Sequence, residues 1–314
     1  MNRTVLFVLP PLALAVAAPA VAQDTLFEAV GPMHEFVEPW FEGLEVDLQV
    51  EHRVEHLVEG EWQVFDGFES TWGLEARGFT STEYALLTLT ARNTVSLREA
   101  DVGGLGLADR VVGLADGLAL DVLCDWYGVP ERALGYVDFG VKYSGRRAEL
   151  VRALTEDERT APVVALVGPS LPTVDVHLAQ TLELLENWAI PIGYTLEVDE
   201  PFEFETWLGT SWSTVNHPGQ ATYRLEELDE LNGQARLSYD LRQAEGPESI
   251  LPSTPELARS PAANAPLVIE RAEWVFDTYS GLPMEYRRVT FRQQEDLATR
   301  VTTEFSVVED GSDW

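Results

Sequence analysis

The chain has 314 residues, room for about two domains, and sets 53 acidic residues against 21 basic ones, for a formal charge of -32 and a pI near 4.3. That balance excludes a surface built for nucleic acid or anionic lipid sheets, both of which need clustered Lys and Arg. At 45% hydrophobic and 10% aromatic the chain is too apolar to stay disordered, and a single cysteine excludes an internal disulfide framework or a cysteine-based zinc site.

Residues 1–22 read as a signal peptide. Arg3 supplies a positive start, Val5 to Ala18 form an apolar stretch broken by Pro10 and Pro11, and Ala20-Val21-Ala22 gives small residues before Gln23. This stretch is too short and too Pro-broken to anchor in a membrane, and no later one reaches spanning length. The expectation is a periplasmic or secreted protein with no transmembrane segment after cleavage. Lys142 is the only lysine, a compositional bias that suits a soluble acidic surface more than a mechanism.

Residues 23–115 predict an N-terminal antiparallel β unit. Leu44, Val46, Leu48, Val50, His52, Val54, His56 and Val58 share one face of a long strand, with Glu45, Asp47, Gln49, Glu51, Arg53 and Glu55 on the other. After Glu59-Gly60, the chain continues through Trp62 to Ala76, and Leu87 to Leu97 keeps the same period. A central helical section is expected over 116–190. Asp116 would cap a buried helix through Ala119, Val122, Leu123 and Trp126, a short helix would cover Arg146 to Leu154, and a third would run from Thr173 toward Pro191, burying Val174, Leu178, Leu182, Leu185 and Ala189.

Residues 191–314 predict a C-terminal antiparallel β unit. Strands are expected at Gly193–Val198, Phe202–Leu208, Ala221–Glu226, Gln234–Arg242, Leu267–Thr278, Met284–Gln293 and Leu297–Val308, with a long loop over 244–266. Asn232-Gly233 and Ser280-Gly281 mark turns. Phe68-Glu69-Ser70-Thr71-Trp72-Gly73 echoes Phe204-Glu205-Thr206-Trp207-Leu208-Gly209, which fits either two related β-units or chance. The fold class is therefore α+β, with curved, mainly antiparallel sheets and a central helical section.

Pro191-Ile192-Gly193, Trp207-Leu208-Gly209, Tyr223-Arg224-Leu225, Asn232-Gly233-Gln234-Ala235 and Phe276-Asp277 with Ser280-Gly281-Leu282-Pro283 form a run of structural turns. With the signal peptide and central helices, this run resembles uncharacterised exported bacterial β-rich proteins. More distantly it is similar to the half-barrel periplasmic carriers of lipoproteins and lipids. The resemblance covers mainly residues 190–308 and carries over no functional residue. It implies a role in holding something apolar against a curved sheet.

No residue pattern assigns catalysis, a metal or a cofactor. His52 and His56 lie about 13 Å apart on an extended strand, too far to share one ion without a bend. Gly168-Pro169-Ser170-Leu171-Pro172 lacks the second glycine of a nucleophile elbow, and Cys124 sits in apolar surroundings without a local base. Gly103-Gly104-Leu105-Gly106 reads as a connector. Glu203/Glu205 and Glu226/Glu227 are carboxylate pairs that 53 acidic residues produce by chance. The aromatic content leans toward function. Trp62, Trp72, Trp207 and Trp212, with Trp40, Phe41, Phe68, Trp274 and Phe276, could line a concave face that takes an apolar ligand, or could pack the core. The expected protein is non-enzymatic and exported, binding a lipid-like ligand or an envelope protein's segment and no nucleic acid. A periplasmic hydrolase using carboxylates is the alternative.

Overall fold

Segments that alternate with period two bury one side chain in two, so each needs a neighbouring strand for its backbone and a cover for one face. The computed structural model describes residues 32–36, 40, 42–81, 84–98, 106–125, 129–156, 160–162, 171–189, 191, 194–208, 217–243, 267–294 and 297–308. Its strands are β1 (Met33–Glu35), β2 (Glu45–Val58), β3 (Glu61–Ser81), β4 (Tyr84–Ser96), β5 (Ala119–Cys124), β6 (Pro130–Leu134), β7 (Thr195–Glu197), β8 (Phe202–Leu208), β9 (His217–Asp229), β10 (Gln234–Gln243), β11 (Leu267–Asp277), β12 (Pro283–Gln294) and β13 (Leu297–Val307). Its helices are α1 (Leu107–Val112), α2 (Tyr136–Glu156) and α3 (Val174–Ala189).

Eleven strands form one curved antiparallel sheet in the order β6-β5-β4-β3-β2-β13-β12-β11-β10-β9-β8. The predicted N- and C-terminal β units meet where β2 pairs with β13, Val50 opposite Phe305. Each remaining neighbour is its own successor in sequence, the topology that short turns favour. The short β1 and β7 pair separately. Bulges interrupt β2/β3, β3/β4, β9/β10 and β11/β12 and add local bend and twist.

The helices lie on one face, the inner face. Trp188 of α3 stacks on Phe305 of β13, with centroids 6.1 Å apart, and its carbonyl accepts the indole N–H of Trp274 of β11 at 3.0 Å. Beneath α3 the inner face is fully apolar and closed: Leu48, Val50, Leu225, Leu237 and Phe276 are all buried. Thr173 caps α3 by accepting the Val176 N–H; of the expected stripe Leu178, Leu185 and Ala189 are buried and Val174 and Leu182 half-buried, while Leu184 and Trp188 are buried beside them.

Two helix expectations are corrected. Ala119–Cys124 is strand β5, because Leu118, Leu120, Val122 and Cys124 also alternate with period two. The run between Gly117 and Asp125 is too short for a stable helix, and β4 offers it a paired edge, Leu89 opposite Leu120. Asp116 accepts bonds from the backbone and hydroxyl of Thr94 instead of capping a helix, and Cys124 is buried on a strand. Trp126 lies outside the described residues. The short helix expected at Arg146–Leu154 runs from Tyr136 to Glu156. Gly140, Ser144 and Gly145 lower its propensity, but packing of Phe139, Tyr143, Leu150 and Leu154 overrides that.

α2 and α3 meet around His177. Its ring stacks on Phe139 (6.0 Å) and Tyr143 (5.2 Å), and burial lowers its pKa from 6.5 to about 4. The imidazole is therefore neutral in the fold. A lowered histidine contributes stability above pH 6.5 that is lost as pH falls toward 4, at most roughly 3 kcal/mol. Melting followed from pH 7 to pH 4 should fall several degrees further for the wild type than for His177→Phe, which keeps the stack and removes the titration. Parallel curves for the two proteins would show that the stack tolerates charge.

Candidate functional site

Cross-strand register sorts the inner face into rows. The row under α3 runs Val50, Phe305, Tyr286, Trp274, Leu237, Leu225 and is apolar apart from one phenol. The next row, one step along every strand, runs His52, Thr303, Arg288, Ala272, Tyr239, Tyr223. Beyond it come Val54, Val301, Thr290, Glu270, Leu241 and Ala221, then His56, Thr299, Arg292 and Val268. The sheet face thus changes from dry apolar core to a mixed surface within about 7 Å, two residues of strand.

Exposure changes with it. Val50 is fully buried, while His52, Val54, Val301, Arg288, Arg292, Tyr239, Phe68 and Phe204 are half-buried; Thr303, Ala272, Tyr223, Thr290, Glu270, Leu241, Ala221 and Val268 of the same rows stay buried. Glu183 and Glu186 of α3 are exposed and face this region: Arg288 bears on Glu186, and Glu183 on Arg292. α3 thus borders this mixed stretch of the sheet on one side. Ala221, Leu241 and Val268 form a small apolar cluster at its far side, with Phe204 and Tyr239 packed on it.

A buried ion pair anchors this stretch. Arg288 Nη2 donates to Glu270 Oε2 at 2.5 Å, and the Thr290 hydroxyl donates to the same oxygen at 3.3 Å. Burial alone would lower the Arg288 guanidinium, but the Glu270 carboxylate and the Tyr286 hydroxyl beside it more than reverse this and raise it. Desolvation pushes the Tyr223, Tyr239 and Tyr286 phenols well above their ordinary value, so all three stay protonated and able to donate. His52 is lowered by burial, against the opposing pull of Asp66, and exchanges a 3.0 Å hydrogen bond with the Thr303 hydroxyl. An arrangement of neutral phenols, a compensated arginine and half-buried aliphatic residues can hold a molecule that has both polar and apolar parts.

Of the four tryptophans singled out by sequence, Trp62 and Trp72 stand on opposite faces of the sheet. Trp72 is buried core on the inner face, edge-on to Phe305 at 5.7 Å. Trp62 stands on the outer face. Phe65 is an extra residue between the pairs Val54–Asp66 and Glu55–Val64, so every β3 side chain before it faces the opposite way. Trp62 there lies 4.8 Å from the Arg300 guanidinium, which makes a bidentate pair with the buried Glu55. Gly67 is required at this bulge: its φ is +154°, and a Cβ would collide with the His52 carbonyl. Trp207 belongs to β8, with a side chain outside the described set, and Trp212 lies outside the described residues. Phe41 does too. Trp40, Trp274 and Phe276 are buried core, and Phe68 is half-buried.

The other candidates are dispersed. His56 stacks on Phe65 at 4.4 Å, away from the bond His52 makes to Thr303. Glu203 and Glu205 are exposed on the outer face of β8, and Glu226 and Glu227 are exposed near the end of β9. Gly168-Pro169-Ser170 and Gly103-Gly104-Leu105 lie outside the described residues. Arg288, Arg292 and Glu270 were not singled out by sequence. Their signal was parity: Arg288 and Arg292 share the inward set of β12 with Met284 and Tyr286, where a charge has no ordinary place. No family model and no curated protein matches the chain.

Proposed function

We propose that this chain is an exported, non-enzymatic carrier that holds the apolar part of an amphiphile in the trough between the sheet's inner face and α3. The observation that carries the reading is the division of that face. One half is closed core beneath Trp188, while the other keeps Val54, Val301, Phe68, Phe204 and Tyr239 half-buried next to polar groups. Apolar side chains left uncovered beside a fixed wall favour a ligand with an apolar chain. Export rests on the leader pattern of residues 1–22. Among the described residues no helix is long and apolar enough to cross a membrane.

Melting temperature in the presence of fatty acids and lysolipids below their micelle concentrations tests the reading. A ligand that binds only the folded state adds roughly 2.7 kcal/mol at 100 times its Kd, which for a chain of this size raises melting by about 5–10 °C. Tryptophan emission is the poorer readout, because Trp72, Trp188 and Trp274 are already buried. Unchanged melting across several chain lengths contradicts the reading.

A further inference from the structure

We propose that the trough recognises its ligand by a singly charged oxyanion, a carboxylate or phosphodiester, held on β12 by Arg292 with Arg288; this rests on the carrier reading and names the head group that reading leaves open. The argument is an imbalance of donors and acceptors. Tyr286, Arg288 and Arg292 occupy inward positions of one strand, and a Tyr hydroxyl, an Arg Nε and a second Arg Nε are buried there without an acceptor among the described residues. Tyr286 is 2% exposed. Its neighbour is the Arg288 guanidinium, which can only donate, so the hydroxyl proton is left over. The acceptor built into the floor is Glu270, and one of its oxygens already takes both Arg288 Nη2 and Thr290.

Buried donors without acceptors are costly and rare, and an oxyanion beside Arg292 brings the acceptor that its Nε lacks. Its charge is set by the neighbours. Glu270 pairs with Arg288, whereas Arg292 makes no ion pair among the described residues, so its guanidinium is open to a ligand. Burial and the nearby Arg288 charge both strain the Arg292 cation, and an anion would relieve that strain. Glu183 and Glu186 of α3 make no ion pair with these arginines among the described residues but are near enough to act on Arg292 and Arg288 through their charge, and they oppose a second negative charge. A dianionic phosphomonoester is therefore disfavoured relative to a monoanion. The half-buried Val301 and Val54 lie one and two strands away from Arg292, where a chain attached to the head group would rest.

The test compares oleate, lysophosphatidylglycerol and the uncharged monoolein on the wild-type chain and on Arg292→Gln and Arg292→Lys. The wild type should bind both anions more tightly than monoolein. Arg292→Gln should weaken the anions by at least roughly tenfold, the loss of one charge-assisted bond, leave monoolein unchanged, and keep the wild-type melting temperature. Arg292→Lys should recover part of the loss. Oleate alone responding identifies a carboxylate source, and both anions responding extends the site to phosphodiesters. Equal binding of monoolein and oleate by the wild type, or anion affinities unmoved in Arg292→Gln, overturns the head-group assignment while leaving the carrier reading in place. Binding of none of the three overturns both.

Discussion

Replacing Glu270 by Ala should lower stability by about 3–5 kcal/mol, the cost of stranding one member of a buried ion pair. The Glu270 and Arg288 side chains are 10% and 21% exposed, so water screens little of the charge left behind. Thr290 loses its acceptor in the same step. For a chain of this size the loss lowers melting by about 10 °C. The double replacement Glu270→Leu with Arg288→Met removes both charges and should recover most of that stability, because two well-packed apolar groups avoid the desolvation cost altogether. Thermal melts of the single and double variants separate the two effects. A Glu270→Ala protein that melts within 2 °C of the wild type would mean that solvent reaches Arg288 freely, and the floor of the trough would have to be redrawn.

Trp188→Ala should cost about 3–5 kcal/mol, the range for emptying a large aromatic site in a close-packed core. Trp188 is 1% exposed, stacks on Phe305, and tilts against Trp40 at 5.7 Å. It is the residue by which α3 grips the centre of the sheet, since Tyr286 and Trp274 pack in the same layer. Loosening α3 moves Glu183 and Glu186, so any ligand affinity of the trough should fall together with stability. Trp188→Phe retains part of the packing and should cost about half as much. Denaturant unfolding checks both values. Equal stabilities for Trp188→Ala and wild type would contradict α3 as a fixed wall.

Most strands were legible because a half-exposed antiparallel strand writes its two faces into alternate residues. β2 and β10 to β13 match the expected segments within a residue or two. β5 was hidden because Leu118 to Cys124 satisfies period two and the helical spacing together, and only its pairing with β4 decides between them. α2 was half hidden by Gly140 and Gly145, whose low propensity is overridden by contacts from distant residues. The trough was hidden for another reason. Trp62 and Trp72 share sequence parity, but the extra residue Phe65 turns one of them to the opposite face, and a bulge leaves only Gly67 as its trace in sequence. On β12 both parities carry charge, Glu285 and Arg287 outward and Arg288 and Arg292 inward, so composition alone could not say which were buried.

The central claim, that the uncovered half of the inner face holds an apolar chain, is tested most directly by photo-crosslinking. A fatty acid carrying a diazirine near the end of its chain is bound to the full chain and irradiated, and the adducts are mapped by peptide mass spectrometry. The account predicts adducts on the half-buried inner-face residues around Val54, Val301 and Phe204, reduced by excess unlabelled oleate. Competable adducts confined to the exposed outer residues of β2, β12 and β13, or labelling that oleate does not reduce, would contradict it.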